Sequence, residues 1–450
     1  MRTDLAKSYG DERLPRYTSY PTAPHFSPAI GAGTYAKWLA ELPASLSASL
    51  YLHVPFCRKM CWYCGCHTQV VRRNALIESY QEVLCREVEL VSETIGRRIK
   101  VEHIHFGGGT PTILPPEAFT ELMATIRQSF FVLPEAEIAI EIDPRTLTTE
   151  MVEALALAGV NRASLGVQSF DASVQVAINR VQSLAQTATA TNELRRAGIT
   201  GVNFDLIYGL PHQTVASCLD TVRKCLELRP ERFSVFGYAH VPSFKKHQRK
   251  IDEAYLPDGR GRHDQSCAIA NALKEAGYVQ IGLDHFALPE DSMAKAFAEH
   301  RLKRNFQGYT TDTSEVLLGF GASAIGHLPQ GYVQNEVGVP VYSQAMSEGR
   351  LATVKGYALT EDDRLRADII ERIMCDSAAD LGAICARHGA KADTMLKSAP
   401  RLKTLISDGV VKLDGDQLAV ANDSRFLLRS VAAAFDAHLE AAQHRHSRAV

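Results

Sequence analysis

Six short apolar runs rich in β-formers recur along the chain at intervals of roughly 25–50 residues, with helix-patterned segments between them. They are SLYLHVP (Ser49–Pro55), VEHIHFGGG (Val101–Gly109), EIAIEIDP (Glu137–Pro144), RASLGVQSF (Arg162–Phe170), GVNFDLIYGLP (Gly201–Pro211) and RFSVFGYAHVP (Arg232–Pro242). Intervening segments such as ALIESYQEVLCREVELVSETI and AQTATATNELRRAG carry apolar residues at i, i+3, i+4 spacing. Gly159, Gly198 and Gly277 punctuate helix ends. The rhythm predicts βαβ units and a parallel sheet, hence an α/β fold. An open doubly wound sheet and a curved partial barrel both satisfy it. Nearly every run ends in groups able to do chemistry: the cysteines after Pro55, Gly107–Thr110, Glu141 and Asp143, Gln168, Asp205, Tyr238 and His240. A barrel site draws on the C-terminal ends of many strands, whereas a doubly wound sheet uses one crevice. The reading is therefore a partial (β/α)6 parallel barrel.

Two further blocks flank it. Residues 1–47 contain RYTSYPTAPHFSPAIGAG, rich in Pro, Ser, Thr and Tyr, and are expected to form an extended arm. The barrel with a C-terminal extension takes residues 48–357. From about Leu359 the texture changes: LTEDDRLRADIIERIMC is a helical run capped at Thr360–Asp363. LKTLISDGVVKLDGDQLAVAN then reads as helix, glycine turn and two-stranded hairpin. Residues 358–450 are thus expected to be a small, winged-helix-like α+β domain. The tail HLEAAQHRHSRAV reads as a solvated helix end despite its three histidines.

Charge excludes one class of partner. Forty-nine basic against fifty-one acidic residues leave a formal charge of -2, with no block of like charge, which argues against nucleic-acid binding through a basic field. The first twenty residues lack the apolar core of a signal peptide, and no run approaches the roughly 18 apolar residues of a membrane span. A cytoplasmic location is expected, with no membrane partner. In that setting ten cysteines argue for thiols or metal ligands rather than disulfides.

Four of the ten, Cys57, Cys61, Cys64 and Cys66, fall in CRKMCWYCGC, right after the first strand. Three readings compete. Zinc needs four ligands in a closed tetrahedron, usually from two separated knuckles, and no second pair is present. A thioredoxin-like pair would use C-x2-C alone and leave Cys57 and Cys66 without a role. An iron–sulfur cubane is the third: three closely spaced thiolates bind three irons and leave the fourth open. The C-x3-C-x2-C spacing favours it.

CRKMCWYC resembles the C-x3-C-x-aromatic-C motif of the radical S-adenosylmethionine (SAM) enzymes. The resemblance implies a [4Fe-4S] cluster on Cys57, Cys61 and Cys64, with SAM chelating the open iron. Reductive cleavage of SAM then yields a 5′-deoxyadenosyl radical. GGGTP (Gly107–Pro111) resembles the element of these enzymes that faces the methionine amino group. No Gly-Lys-Ser/Thr follows, so it is not a phosphate loop. Glu141 sits on an apolar strand, where an unpaired carboxylate is costly; a ribose hydroxyl, an ammonium group or a core salt bridge would satisfy it.

Longer motifs narrow the resemblance: RYTSYPTAPHF, YLHVPFCRKMCWYCGC, HFGGGTPT, IEIDPR, LGVQSFD, NFDLIYGLP, FGYAHVP, HRLKRNFQGYTT and GFGASAIG. Together they resemble the oxygen-independent coproporphyrinogen III oxidase (dehydrogenase) family of haem biosynthesis. The implied reaction converts two propionates of coproporphyrinogen III to vinyls, giving protoporphyrinogen IX. Each step abstracts a β-hydrogen and releases CO2 and an electron, so an external electron donor and an acceptor are required. The resemblance implies two SAM molecules. Tyr51, Gly108, Glu141, Ala239 and Ile325 match positions for the cluster-bound one, and Tyr63, Gly109, Thr110, Gln168, Arg180 and Asp205 for the second. Cys66 is then no fourth ligand but a catalytic candidate near the substrate. A monomer is also implied. Lys245, Lys246, Arg249, Lys303 and Arg304 are candidates for the substrate carboxylates, and the arm around Arg16, Tyr17 and Tyr20 for a lid. Two rivals share the scaffold, a haem-binding trafficking protein and a haem-utilisation methyltransferase. Both are expected to carry another residue, commonly aromatic, in place of Cys66.

Overall fold

The computed structural model describes Leu5, Tyr9 and residues 12–439; His444 and His446 of the tail lie outside the described residues. Six parallel strands form in the order of the six apolar runs: β1 (Ser47–Val54), β2 (Lys100–Gly108), β3 (Phe131–Ile142), β4 (Arg162–Gln168), β5 (Gly201–Tyr208) and β6 (Arg232–Gly237). Each pairs with the next in parallel. β1 is buried along most of its length, while from Ala136 in β3 and along β4 buried residues alternate with half-buried ones. Helices cover the gaps, among them Asn74–Ile95, Pro116–Ser129, Thr149–Leu157, Leu184–Arg196 and Val215–Leu228. Two of them start in capping boxes, Ser183 with Gln186 and Thr214 with Ser217. Asn74–Ile95 stops at Gly96 in the left-handed conformation.

The sheet is larger than the six runs predict. Twelve strands share it, and Val316–Phe320 pairs in parallel with the free side of β1. The sequence reading assigned no strand there. VLLGF is apolar at four of five positions and buried at all five, so it has no period to separate strand from buried helix. Antiparallel strands Ile325–Leu328, Gly331–Asn335 and Thr353–Ala358 extend that side, and His285–Ala287 with Val279–Ile281 extend β6. The two outermost strands do not pair with each other, so the barrel stays open.

The main core lies between sheet and helices. A second core joins the two ends of the chain: Leu14, Tyr17 and Tyr20, each 3% exposed, pack with residues from Leu365 to Phe435. Tyr17 donates to Asp436 Oδ2 (2.9 Å), and Glu12 pairs with Arg401. The C-terminal module has the helix Glu361–Asp376, capped reciprocally by Thr360 and Asp363, and a hairpin of Val411–Asp414 with Gln417–Val420. A short third strand, Ala378–Asp380, pairs with the hairpin's second strand. Among the described residues no helix is long and apolar enough to cross a membrane.

Candidate active site

Strand register decides which polar groups meet. Glu141 lies beside Ser164, Ser164 beside Asn203, and Asp205 beside both Gly166 and Ser234. These ends open into one cavity of about 1600 Å3, which also receives the cysteine loop, the arm and part of the C-terminal module. Thirteen of the fifteen residues nominated from sequence line it: Cys57, Cys61, Cys64, Cys66, Tyr63, Gly108, Gly109, Thr110, Glu141, Gln168, Arg180, Asp205 and Ala239. Tyr51 and Ile325 are not on its wall. Tyr51 stands just behind, stacked on His105 and donating to His53 Nδ1 (2.9 Å). Ile325 begins the strand that turns back from Val316–Phe320.

The cysteine loop is anchored at both ends. Phe56–Cys57 pairs with Gln69–Val70, so residues 57–68 project as one loop. Its backbone is held from two directions. Asn179 donates to Met60 O (2.8 Å) and Trp62 N–H to Ile178 O (2.9 Å). From the other side Gln248 donates to Tyr63 O (2.9 Å), His247 lies 2.7 Å from Cys64 O, and Lys245 donates to Cys66 O (3.0 Å).

The four thiols differ in surroundings. Cys57 Sγ lies 3.3 Å from Thr68 Oγ1 and 3.4 Å from Thr110 Oγ1, and burial pushes its pKa up. Cys61 Sγ accepts from Arg180 (3.5 Å) and Arg145 (3.6 Å), two cations suited to a sulfur that carries charge. Cys64 is held down to about 7, first by its hydrogen bond from Cys66, and Cys66 is pushed up by the same contact. Of that pair Cys64 ionises first and Cys66 keeps its proton. Among the described residues no three His, Cys, Asp or Glu side chains are grouped to hold a single metal ion.

The glycine run has a structural reason of its own. Gly108 has φ +114°, and a Cβ there would lie 2.7 Å from the His53 ring. One at Gly109 would meet Phe56 O at 2.5 Å and also Thr68. These glycines let β2 close onto the cysteine loop while their backbone faces the cavity. Gly108 N–H donates to Glu141 Oε2 (3.1 Å), and His105 Nε2 lies 3.4 Å from Oε1. Burial raises the Glu141 pKa, but the His105 and Gly108 bonds outweigh it and hold the carboxyl below its usual range. Glu141 is thus an anion, and its side chain remains 40% exposed to the cavity.

Asp205 is the opposite case. Ser164 (2.9 Å) and Asn203 (2.8 Å) donate to it, yet burial wins and pushes it up to about 6. Arg180, expected to face a ligand carboxylate, faces Asp143 (3.4 Å) and donates to Gly166 O (2.6 Å); Arg145 holds the same Asp143 at 2.6 Å. Gln168 takes a left-handed φ of +67°, and its Oε1 is buried without a partner among the described residues, as is Arg180 Nε. Two orphaned polar atoms beside Asp205 and the cysteine loop are what a site for a polar ligand presents. Sequence reasoning missed Arg145, which holds Asp143 two residues away, and Ser164, Asn203 and His105, each of which has a partner on another strand. Alternation along a strand was the available signal: Ser164 and Gly166, and Asn203 and Asp205, point to one face.

Residues 51–225 match the model of the radical SAM superfamily. The chain is 77% identical over the full length of both proteins to the oxygen-independent coproporphyrinogen III oxidase of Bradyrhizobium diazoefficiens. It is 43% identical over 99% of both to coproporphyrinogen III oxidase, anaerobic 1, of Cereibacter sphaeroides. The solved structure of the Escherichia coli coproporphyrinogen III oxidase, described as a radical SAM enzyme, superposes with a TM-score of 0.91 at 37% identity, covering 97% of this chain and 99% of that one. The chain belongs to the oxygen-independent coproporphyrinogen III oxidase family of the radical SAM superfamily.

Proposed function

We propose that this chain decarboxylates two propionates of coproporphyrinogen III to vinyls without oxygen, giving protoporphyrinogen IX. The observation that carries the reading is the convergence of thirteen nominated residues, from the cysteine loop and the strand ends, on one cavity. Cys57, Cys61 and Cys64 would hold the [4Fe-4S] cluster. Gly108, Glu141 and Ala239, with Tyr51 and Ile325 behind them, would hold one SAM. Tyr63, Gly109, Thr110, Gln168, Arg180 and Asp205 would hold the second. Bound together, the cluster and SAM supply a 5′-deoxyadenosyl radical.

The chain's own part is to bind, orient and shield. Glu141, an anion at a strand end, suits the hydroxyls or ammonium of SAM. Asp205 and the unpaired Gln168 Oε1 offer acceptors for a second one. Arg180 is anchored on Asp143 and leaves one nitrogen unpartnered. Cys66, whose thiol is pushed up by its contact with Cys64, would give a proton or hydrogen near the substrate rather than ligate iron. Arm residues Arg13–Arg16 and Thr18 line the cavity and would close it against water. We read the protein as a cytoplasmic monomer that takes the electron for each SAM cleavage from a separate donor and passes the electron released with each CO2 to a separate acceptor. All ten cysteines are free, which agrees with a reducing compartment.

The test is anaerobic reconstitution, reduction, and addition of SAM and coproporphyrinogen III. Protoporphyrinogen IX with 5′-deoxyadenosine is expected. Deoxyadenosine without vinyl product would favour another radical reaction, and porphyrin binding without either product a trafficking role.

A further inference from the structure

Buried arginines in this protein are paired almost everywhere. Arg145 and Arg180 face Asp143, Arg162 faces Glu137, Arg232 faces Asp291, and Arg372 faces Asp376. One end of the cavity breaks the pattern. Arg16 from the arm, Arg304 from the short strand Lys303–Asn305 and Arg425 from the C-terminal module all line it. None of the three is in an ion pair among the described residues; Arg16 is exposed, and Arg304 and Arg425 are half-buried.

Arg304 is the extreme case. Its Nε and Nη1 are buried without a hydrogen-bond partner, its guanidinium is stacked 4.3 Å from the centre of the Tyr309 ring, and its Nη2 reaches the backbone oxygen of Arg16 (3.4 Å). Asp284 is the nearby counter-charge. Burial raises its pKa, but its 2.8 Å bond to His285, then Arg304 and Arg16, hold it down. Asp284, already bonded to His285, faces both Arg304 and Arg16, and Asp423 also lines the cavity. Arg429 shows the crowding: burial first, then Arg16, push it down to about 9, and Arg304 adds to the fall. Burial likewise pushes Arg425 down, while at Arg304 Tyr309 and Asp284 outweigh burial and hold the charge; an arriving anion would stabilise the charge on this wall further.

From this end of the cavity we infer a second carboxylate-binding site, in which Arg16, Arg304 and Arg425 hold the propionates of the substrate that are not reacting. The inference rests on the proposed function for its ligand. Coproporphyrinogen III is a tetracarboxylate, and only one propionate at a time can sit beside the cluster. The others need cations, and guanidinium is the side chain best matched to a carboxylate. Of the five cations the sequence offered, Arg304 is on this wall; Lys303 is spent on Glu371 and Lys245 on Cys66 O. Each arginine comes from a different block of the chain, so the site exists only once arm, barrel and C-terminal module have come together.

The test uses the full-length, cluster-loaded protein and coproporphyrin III, the oxidised and fluorescent tetracarboxylate, against mesoporphyrin IX, a dicarboxylate. Wild type should bind the tetracarboxylate at least tenfold more tightly, and the difference should shrink as salt rises. R16Q and R425Q should each weaken coproporphyrin III binding about tenfold and raise the KM for coproporphyrinogen III, with iron content and SAM binding unchanged. R425K should recover part of the loss. Equal wild-type affinity for the two porphyrins, or folded R16Q and R425Q proteins with wild-type affinity, would overturn the site. Failure of wild type to form vinyl product would instead overturn the proposed reaction, because porphyrin binding is read separately from turnover.

Discussion

Two carboxylates on neighbouring faces of the cavity are tuned in opposite directions, and the cause is what donates to them. Glu141 receives a backbone N–H and an imidazole and stays ionised; Asp205 receives a hydroxyl and an amide and rises to about 6. An acid whose folded pKa lies above its unfolded 3.8 contributes stability that is complete below pH 3.8 and lost as pH rises through about 6. Asp205→Asn keeps an acceptor for Asn203 and can donate its NH2 to the Ser164 hydroxyl, so relative to wild type it should gain on the order of 2 kcal/mol as pH rises from 4 to 7.5, read as a Tm difference that grows with pH. Turnover should fall at the same time, since the second acceptor oxygen is lost. Thermal melts of both proteins across pH check this, and a pH-independent difference would contradict it. At Cys66, Cys66→Ala should keep wild-type iron and sulfide content while losing turnover. Loss of cluster iron would make Cys66 a ligand after all. These residues were legible in sequence because each ends an apolar run. Their partners were not: Asp143 with Arg180, and Asp205 with Ser164, meet only once strands take register.

At the scale of elements, the helix Asn74–Ile95 is tied to the far side of the sheet by one buried carboxylate. Glu87 accepts from Gly321 N–H, Asn335 and Tyr342, each at 2.6 Å, and burial pushes it up to about 7. Those partners belong to the turn after Val316–Phe320, to the strand Gly331–Asn335 and to the helix Val339–Ser347. Glu87→Ala leaves three buried donors unmet and should cost about 3–5 kcal/mol, measured by urea unfolding. Glu87→Gln cannot satisfy all three, because its NH2 would face a donor, and should cost less but still destabilise. A neutral result for either would mean that water replaces the carboxylate. The strand Val316–Phe320 escaped the sequence reading for the same reason that Glu87 matters: its partner is distant in the chain, and five buried positions in a row carry no period.

Over the whole molecule, the arm and the C-terminal module form one unit although they lie at opposite ends of the sequence. Tyr17→Ala should remove a buried aromatic side chain and its bond to Asp436, destabilising that unit by about 3–5 kcal/mol. Limited proteolysis should then cut within residues 358–439 while iron content stays at the wild-type level. Unchanged protease resistance would mean that the arm is only laid on the surface. Composition alone hid this union. Pro, Ser and Thr made residues 1–47 look like an extended arm, while Leu14, Tyr17 and Tyr20 are too sparse to read as a core without their partners.

The pairing of β1 with Val316–Phe320 also orders events at the ribosome. The strand that leads into the cysteine loop has one neighbour from residues 100–108 and the other from a segment synthesised much later. Until residue 320 has emerged, a growing chain carries four thiols beside an unpaired strand edge, open both to strand addition and to oxidation. Iron delivery to the finished protein avoids that exposure, whereas delivery during synthesis would need a chaperone on that edge.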